Sequence, residues 1–175
     1  MRKVQNRDKL DALKQDLSKM EKVIIAFSGG VDSTFLLRVA SEILGDKAIP
    51  VTIDSPTYPQ REFVQTVEFC KELGLKQHVI KCSELDSPEF CENPPERCYI
   101  CKKELFGRIR ALAQELNVKH IVDGSNLDDT NDYRPGIKAL NELGIKSPLM
   151  DAGLTMEDIR QLSKEYGLRT WDKPS

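Results

Sequence analysis

A glycine-rich hexapeptide carries the clearest chemical signal in the sequence. It reads Ser28-Gly29-Gly30-Val31-Asp32-Ser33 and follows the apolar run Val23 to Phe27. Two adjacent glycines let backbone N–H groups approach an anion without a Cβ atom in the way. A helix that starts near Asp32 would add the positive end of its dipole, and Ser28 and Ser33 would add hydroxyl donors. The segment therefore predicts a phosphate-binding loop.

This loop differs from the two common nucleotide-binding loops. It lacks the pattern Gly-x-x-x-x-Gly-Lys-Ser/Thr, and it is not Gly-x-Gly-x-x-Gly. A phosphate cradle without a following lysine suits a pyrophosphate that departs as one unit better than it suits transfer of a γ-phosphate. A plain strand-to-helix turn can also contain Ser-Gly-Gly. The full pattern Ser-Gly-Gly-x-Asp-Ser, however, should arise by chance in only roughly one chain in several thousand.

The five cysteines suggest two different roles. Cys98 and Cys101 form a Cys-x-x-Cys pair just before a predicted helix, and Cys91 lies shortly upstream. The pair could bind a metal if further ligands are present, or it could be a redox pair or two half-buried thiols. We expect Cys70 to lie in the core and Cys82 to be structural.

Charged residues near predicted strand ends are candidates for ligand contacts. Asp128 and Asp129 suit magnesium or a substrate, but also a loop held by turn hydrogen bonds. Asp54 either contacts a ribose or caps the next helix. Arg97 and Arg134 suit a carboxylate or phosphate, and surface solvation is the alternative for both.

Short apolar runs alternate with helical patterns along the whole chain. This alternation predicts an α/β fold in which a parallel sheet carries helices on both faces. Ligands of such sheets bind at the carboxyl ends of the strands. The predicted strands are 23–27, 48–53, 77–81 and 120–123, with a short helix and a fifth strand expected within 137–154.

Composition excludes whole classes of function. The chain has 175 residues, 26 basic and 28 acidic side chains and a formal net charge of −2. This length fits one domain, and no run approaches the ~18 apolar residues of a membrane span. The acidic balance argues against nonspecific nucleic-acid binding. An odd cysteine count favours reduced thiols, so we expect a cytoplasmic protein.

The hexapeptide after a strand resembles the PP-loop of the ATP pyrophosphatases, which have the adenine-nucleotide alpha-hydrolase-like fold. These enzymes cleave ATP to AMP and pyrophosphate while adenylating a substrate. The resemblance implies Ser28, Asp32 and Ser33 as catalytic residues, with Asp32 also near Mg²⁺. It further implies an ATP site built from Ala26, Ser28, Gly29, Gly30, Val31, Asp32, Ser33, Ile53, Asp54, Ser55 and Gly124.

Four more segments, at 93–102, 123–129, 133–136 and 171–175, resemble the LarE family. These enzymes adenylate a carboxylate of pyridinium-3,5-biscarboxylic acid mononucleotide and convert it to a thiocarboxylate for the nickel-pincer cofactor. Sulfur comes from a protein cysteine or through a 4Fe-4S cluster, for which Cys98 and Cys101 would be ligands. The implied substrate residues are Arg97, Asn126, Asp128, Asp129 and Arg134.

The resemblance also bears on domain organisation. Family chains continue past the Lys-Pro-Ser found at 173–175, so we expect residues 1–175 to be the PP-loop ATP-binding domain, without the C-terminal substrate and sulfur-donor region. It implies a homo-oligomer and a small, nucleotide-like substrate. Two other PP-loop activities stay open, tRNA thiolation and NAD-synthetase-like amidation. A nucleotide-binding module without catalysis is the non-enzyme alternative.

Overall fold

The structure is a computed structural model that describes residues 2–55, 58–81, 97–130 and 135–173. Within these ranges it describes the side chains of all residues except 2–3, 97–102, 130 and 135–137.

Four parallel strands form the central sheet in the order β3-β2-β1-β4. Strand β1 lies between two neighbours, and its apolar residues are buried because helices cover both faces of the sheet. The predicted parallel α/β fold is therefore confirmed. The strands are β1 (Val23–Ala26), β2 (Ala48–Asp54), β3 (His78–Lys81) and β4 (His120–Val122).

Seven α-helices and three short 3-10 helices lie among the described residues. The α-helices are α1 (Arg2–Met20), α2 (Val31–Leu44), α3 (Gln60–Glu72), α4 (Arg97–Glu115), α5 (Pro135–Glu142), α6 (Pro148–Asp151) and α7 (Met156–Glu165). The 3-10 helices are Gly45–Lys47, Leu127–Thr130 and Arg169–Asp172. None of the described helices has the length and apolar content that crossing a membrane requires.

Two separate hydrophobic clusters hold the helices on the sheet. On one face, α1, α2, α3, α6 and α7 pack around fully buried residues such as Leu17 and Phe35. On the other face, α4 and α5 pack around Ile109 and Leu140. Cys70 is buried in the first cluster, and burial raises the pKa of its thiol to about 12, which confirms its predicted place in the core.

The segment after β4 departs from the expected fifth strand. A single parallel bridge joins Val122 to Lys146, between α5 and α6. Two backbone hydrogen bonds hold it, from Lys146 N–H to Ile121 and from Asp123 N–H to Lys146. The expected strand is thus reduced to one residue pair, because Pro148 starts a helix almost at once.

Helix α4 begins earlier than the apolar pattern predicts. The pattern starts at Leu105, whereas the helix starts at Arg97. Cys98 and Cys101 therefore lie within the first turns of α4 rather than before it, which corrects the prediction. Residues 97–104 contain no Pro or Gly and include Lys102, Lys103 and Glu104, straight-chain residues that favour a helix without an apolar stripe.

Candidate functional site

The predicted phosphate-binding loop lies where the strand order of the sheet reverses. The chain runs from β1 to β2 and β3 on one side and then returns to place β4 on the other side of β1. Such a switch point opens a crevice at the carboxyl ends of the strands. A Cβ atom on Gly124 would lie 3.0 Å from the backbone nitrogen of Ser33 and 3.2 Å from its Cα. The chain after β4 therefore packs directly on the first turn of α2.

The backbone of the loop has the conformation that its glycines predict. Gly29 has a φ of +83°, and a Cβ atom there would lie 2.9 Å from Cγ2 of Thr66 on α3. Gly30 precedes α2 without a side-chain cap. The first N–H groups of α2 thus have no capping side chain among the described residues, which is the arrangement that an anion completes.

The two serines of the loop contact each other. The Oγ atoms of Ser28 and Ser33 lie 3.1 Å apart, and the backbone N–H of Ser28 donates to Ser33 Oγ at 3.2 Å. Ser33 is buried, whereas Ser28 is exposed. We infer that Ser33 closes the loop onto α2 and that Ser28 is the hydroxyl accessible to a ligand.

Asp32 presents a half-buried carboxylate at the start of α2. Its Oδ2 accepts a hydrogen bond of 3.1 Å from Nδ2 of Asn126, whereas its Oδ1 is buried and has no partner among the described residues. Burial raises the pKa of Asp32 to about 6; the Asn126 hydrogen bond and Arg160 oppose this, and Asp129 and Asp123 add to it. A divalent cation would satisfy the free oxygen and the local negative charge, so the site fits Mg²⁺.

The carboxylates after β4 hold their own loop together. Asp123 accepts from the hydroxyls of Ser125 at 2.7 Å and Ser147 at 2.6 Å. Asp128 accepts from the N–H of Met156 at 2.9 Å and so caps α7. Asp129 accepts from the N–H of Asn126 at 2.9 Å. The turn alternative thus describes both predicted acids, and their contact with substrate stays a prediction.

The end of β2 lies at the same edge of the sheet as the ends of β1 and β4. Ile53 and Asp54 are half-buried at the end of β2, and Ser55 is buried. Parallel pairing of β1 with β2 sets Ala26 opposite Val51. The ends of β1, β2 and β4 therefore lie at one edge of the sheet, and the ATP site expected there stays a prediction.

Three further side chains, which the sequence did not indicate as site residues, also reach this region. Tyr58 donates from its hydroxyl to the carbonyl of Ser28. Lys173 donates to the carbonyl of Gly29 at 3.2 Å. Arg160 lies close enough to Asp32 to affect its pKa. Lys173 belongs to the Trp171–Ser175 segment that carried the family resemblance, but no local pattern marks the other two.

A cavity of about 970 Å³ lies beside the loop, on the face of the sheet that carries α3. Its size falls in the range of small-molecule sites. Its wall combines the loop, both ends of α3 and the last 3-10 helix. The lining includes Phe27, Gly29, Thr34, Glu62, Phe69 and Thr170.

Part of the predicted site lies outside the described residues. Arg134 is not described, and the side chains of Arg97, Cys98 and Cys101 are likewise outside the description. Among the side chains that are described, no group of three or more His, Cys, Asp or Glu is arranged to hold a metal ion. The 4Fe-4S cluster thus stays a prediction.

Sequence comparison gives one family and a set of curated relatives. Residues 6–122 match the profile of the NAD synthase family. An uncharacterized protein of Synechocystis sp. is 38% identical over 95% of this chain and 62% of its own length. The pyridinium-3,5-bisthiocarboxylic acid mononucleotide synthase of Lactiplantibacillus plantarum is 34% identical over 90% of this chain and 57% of its own length. The resemblance to the LarE family is confirmed, although the chain spans less than two thirds of these relatives.

Solved structures share the fold. The NMN synthetase of Francisella tularensis superimposes with a TM-score of 0.74 at 14% identity, covering all of this chain and 75% of that one. The U34-tRNA thiolase NcsA of Methanococcus maripaludis, solved with its [4Fe-4S] cluster, gives 0.67 at 20% identity, covering 99% of this chain and 66% of that one.

Proposed function

Because the chain belongs to the NAD synthase family, we propose that it binds ATP at the Ser28–Ser33 loop and cleaves it to AMP and pyrophosphate while adenylating a substrate carboxylate. One observation carries this proposal. A glycine loop, an uncapped helix end and a buried carboxylate oxygen without a partner among the described residues meet at the switch point of a parallel sheet.

Different groups of the loop would contact different parts of the triphosphate. The N–H groups of Gly29 and Gly30 and the start of α2 would bind the β- and γ-phosphates. The hydroxyl of Ser28 would donate to a phosphate oxygen, and Ser33 would keep the loop closed. Donors fixed before the reaction stabilise the charge that develops on the departing pyrophosphate. The end of β2, at Ile53–Ser55, would border the adenine.

Asp32 is the residue that would hold Mg²⁺, since its Oδ1 is buried without a partner among the described side chains. The bound ion would neutralise negative charge on the pyrophosphate. Asn126 fixes the other carboxylate oxygen and so holds the group in one orientation. Asn126 thereby links the loop after β4 to the proposed phosphate site, and the substrate contact that the family resemblance implies for it stays a prediction.

For the substrate we propose pyridinium-3,5-biscarboxylic acid mononucleotide, with thiocarboxylate formation as the following step. Support comes from the 34% identity to the L. plantarum synthase. In this proposal residues 1–175 supply the ATP site, and Arg97, Arg134, Asp128 and Asp129 contact the substrate. Cys98 and Cys101 are proposed ligands of a 4Fe-4S cluster that carries sulfur. A cytoplasmic homo-oligomer is part of the same proposal.

Thiolation of tRNA is the second candidate. The fold similarity to a tRNA thiolase with a [4Fe-4S] cluster supports it, since this chain also contains a Cys-x-x-Cys pair. The formal charge of −2 counts against it, because tRNA binding needs a basic surface. Amidation, as in the NAD synthetases, is the remaining alternative. It is less well supported, because it would give Cys98 and Cys101 no role.

Pyrophosphate release under three substrate conditions tests the proposal. The protein is given Mg²⁺-ATP with the pyridinium dicarboxylate mononucleotide, with tRNA, or with nicotinic acid adenine dinucleotide and ammonia. We expect release with the first substrate only. Release with tRNA alone would instead establish the thiolase alternative, and no release under any condition would contradict the proposed activity.

A further inference from the structure

Tyr58 contacts the phosphate-binding loop from the α3 side. It lies just before α3, is half-buried, and donates its hydroxyl hydrogen to the carbonyl of Ser28 across 30 positions of sequence. Its Oη would be 3.4 Å from a Cβ atom placed on Gly29. The phenol therefore lies in direct contact with the part of the loop that carries the two glycines.

Because of peptide-bond geometry, the contact with the Ser28 carbonyl also sets the direction of the following N–H group. The described peptide bonds are all trans, and in a trans peptide the C=O and the following N–H point in opposite directions. Holding the carbonyl of Ser28 toward Tyr58 thus turns the N–H of Gly29 away from Tyr58. Lys173 acts in the same way on the next peptide, through its 3.2 Å bond to the carbonyl of Gly29.

The glycine at position 29 makes such external support necessary. Its φ of +83° lies in a region that glycine enters and leaves at little cost, so the loop has other conformations to choose from. Ser33 holds the loop from the α2 side only. Burial and the charge of Glu62 raise the pKa of Tyr58 to about 12, so the phenol keeps its proton and remains a donor at neutral pH.

We propose that Tyr58 is a positioning residue of the phosphate-binding loop: by holding the carbonyl of Ser28, it aims the N–H of Gly29 at the phosphates. This inference rests on the proposed function, since it takes the loop to be the ATP site. It assigns Tyr58 to the pyrophosphate end of the nucleotide and not to the adenosine end.

The substitution Tyr58→Phe tests this role, with Tyr166→Phe as a matched control. Tyr166 is also half-buried and donates one hydrogen bond, to Glu42 at 3.0 Å, on the outer side of α2. Calorimetric titrations use Mg²⁺-ATP, Mg²⁺-pyrophosphate and adenosine as probes. We expect Tyr58→Phe to weaken binding of ATP and pyrophosphate by about five- to tenfold, as the loss of one hydrogen bond implies. Adenosine binding, and all binding by Tyr166→Phe, should equal wild type.

The outcomes separate this inference from the proposed function. Wild-type protein that binds none of the phosphate probes would contradict both. Wild-type binding with an unchanged Tyr58→Phe would overturn only the role of Tyr58, as would an equal loss for adenosine and pyrophosphate. Amide hydrogen exchange of the free protein gives a second readout: the N–H of Gly29 should exchange faster in Tyr58→Phe, and an unchanged rate would contradict the proposal.

Discussion

The loops after β1 and β4 contact each other at the carboxyl ends of the strands, but they use their polar groups in opposite ways. The Ser28–Ser33 loop leaves the start of α2 without a side-chain cap and leaves one oxygen of Asp32 without a partner among the described residues. The loop after β4 turns its carboxylates inward: Asp123 accepts from two serine hydroxyls, and Asp128 caps α7.

This difference shows that an acid at a strand end is not by itself a sign of ligand binding. Asp32 and Asp128 both follow strands at the same edge of the sheet, yet only Asp32 has a buried oxygen left for a ligand. A free buried carboxylate costs stability unless a cation or a proton compensates it. The free oxygen of Asp32 supports the proposed ligand site in the first loop, and Asn126 of the second loop holds the other oxygen of that carboxylate.

Removing the Asp32 carboxylate should have the largest effect. We expect Asp32→Ala to lower pyrophosphate release by at least about 100-fold, the scale seen when one electrostatic contact to a reacting group is lost. Asp46→Ala is the control, because Asp46 is exposed in the 3-10 helix after α2, at the other end of that helix. Steady-state rates of pyrophosphate release test this expectation. A similar rate for both variants would show that Asp32 has no role in the reaction.

The substitution Gly29→Ala, which adds one methyl group to the first loop, should have the second-largest effect. Gly29 and Gly45 both have positive φ, +83° and +60°, but only at Gly29 does a Cβ atom meet another residue, Thr66 at 2.9 Å. Gly45→Ala should cost about 1–3 kcal/mol of unfolding free energy from backbone strain alone, because φ +60° and ψ −131° lie outside the left-handed helical region. Gly29→Ala should cost roughly 1–3 kcal/mol more from overpacking and should weaken ATP binding. Denaturant unfolding measures the difference, and equal losses would show that the loop yields to the methyl group.

The pH dependence of stability tests the buried charge of Asp32. Its pKa is raised by burial from 3.8 to about 6, so the ionised form destabilises the folded protein above that pH. The destabilisation should disappear as the pH falls from about 6 toward 3.8. Metal-free Asp32→Asn should therefore be more stable than wild type at pH 7, and this advantage should shrink by pH 5. A difference that stays constant over this interval would show that Asp32 is not desolvated.

The smallest effect is expected in the second loop. Asp128→Ala removes the acceptor for the Met156 N–H and should cost about 1 kcal/mol of unfolding free energy, as for other helix caps. The affinity for ATP should stay within about twofold of wild type, because this carboxylate contacts the start of α7 and not the glycine loop. Thermal unfolding and calorimetry check both. A large loss of ATP affinity without loss of stability would break the contrast between the two loops.

Patterns within one segment predict most of this fold. The buried run Val23–Phe27 and the hexapeptide after it identify β1 and the loop, because both depend on local residue types. The spacing Thr155-x-x-Asp158 is typical of a capping box at a helix start, and the structure contains both of its hydrogen bonds at the start of α7. The start of α4 escapes prediction, since residues 97–104 have helix-favouring types but no apolar period.

The supporting contacts of the site cannot be predicted in this way. Tyr58 and Lys173 reach the loop from 30 and 144 positions away. Asn126 meets Asp32 across 94 positions, and only the folded sheet brings these residues together. Sequence patterns therefore predict the glycine loop itself, whereas the side chains that contact it follow from tertiary packing.

Calorimetric titration of the protein with Mg²⁺-ATP and with AMP tests the central claim most directly. If the Ser28–Ser33 loop holds the departing pyrophosphate, ATP should bind at least about tenfold more tightly than AMP, since two charge-assisted phosphate contacts are lost in AMP. Asp32→Ala should abolish most of that difference. Equal affinity for ATP and AMP, or a difference that survives Asp32→Ala and Gly29→Ala, would contradict the assignment of the loop.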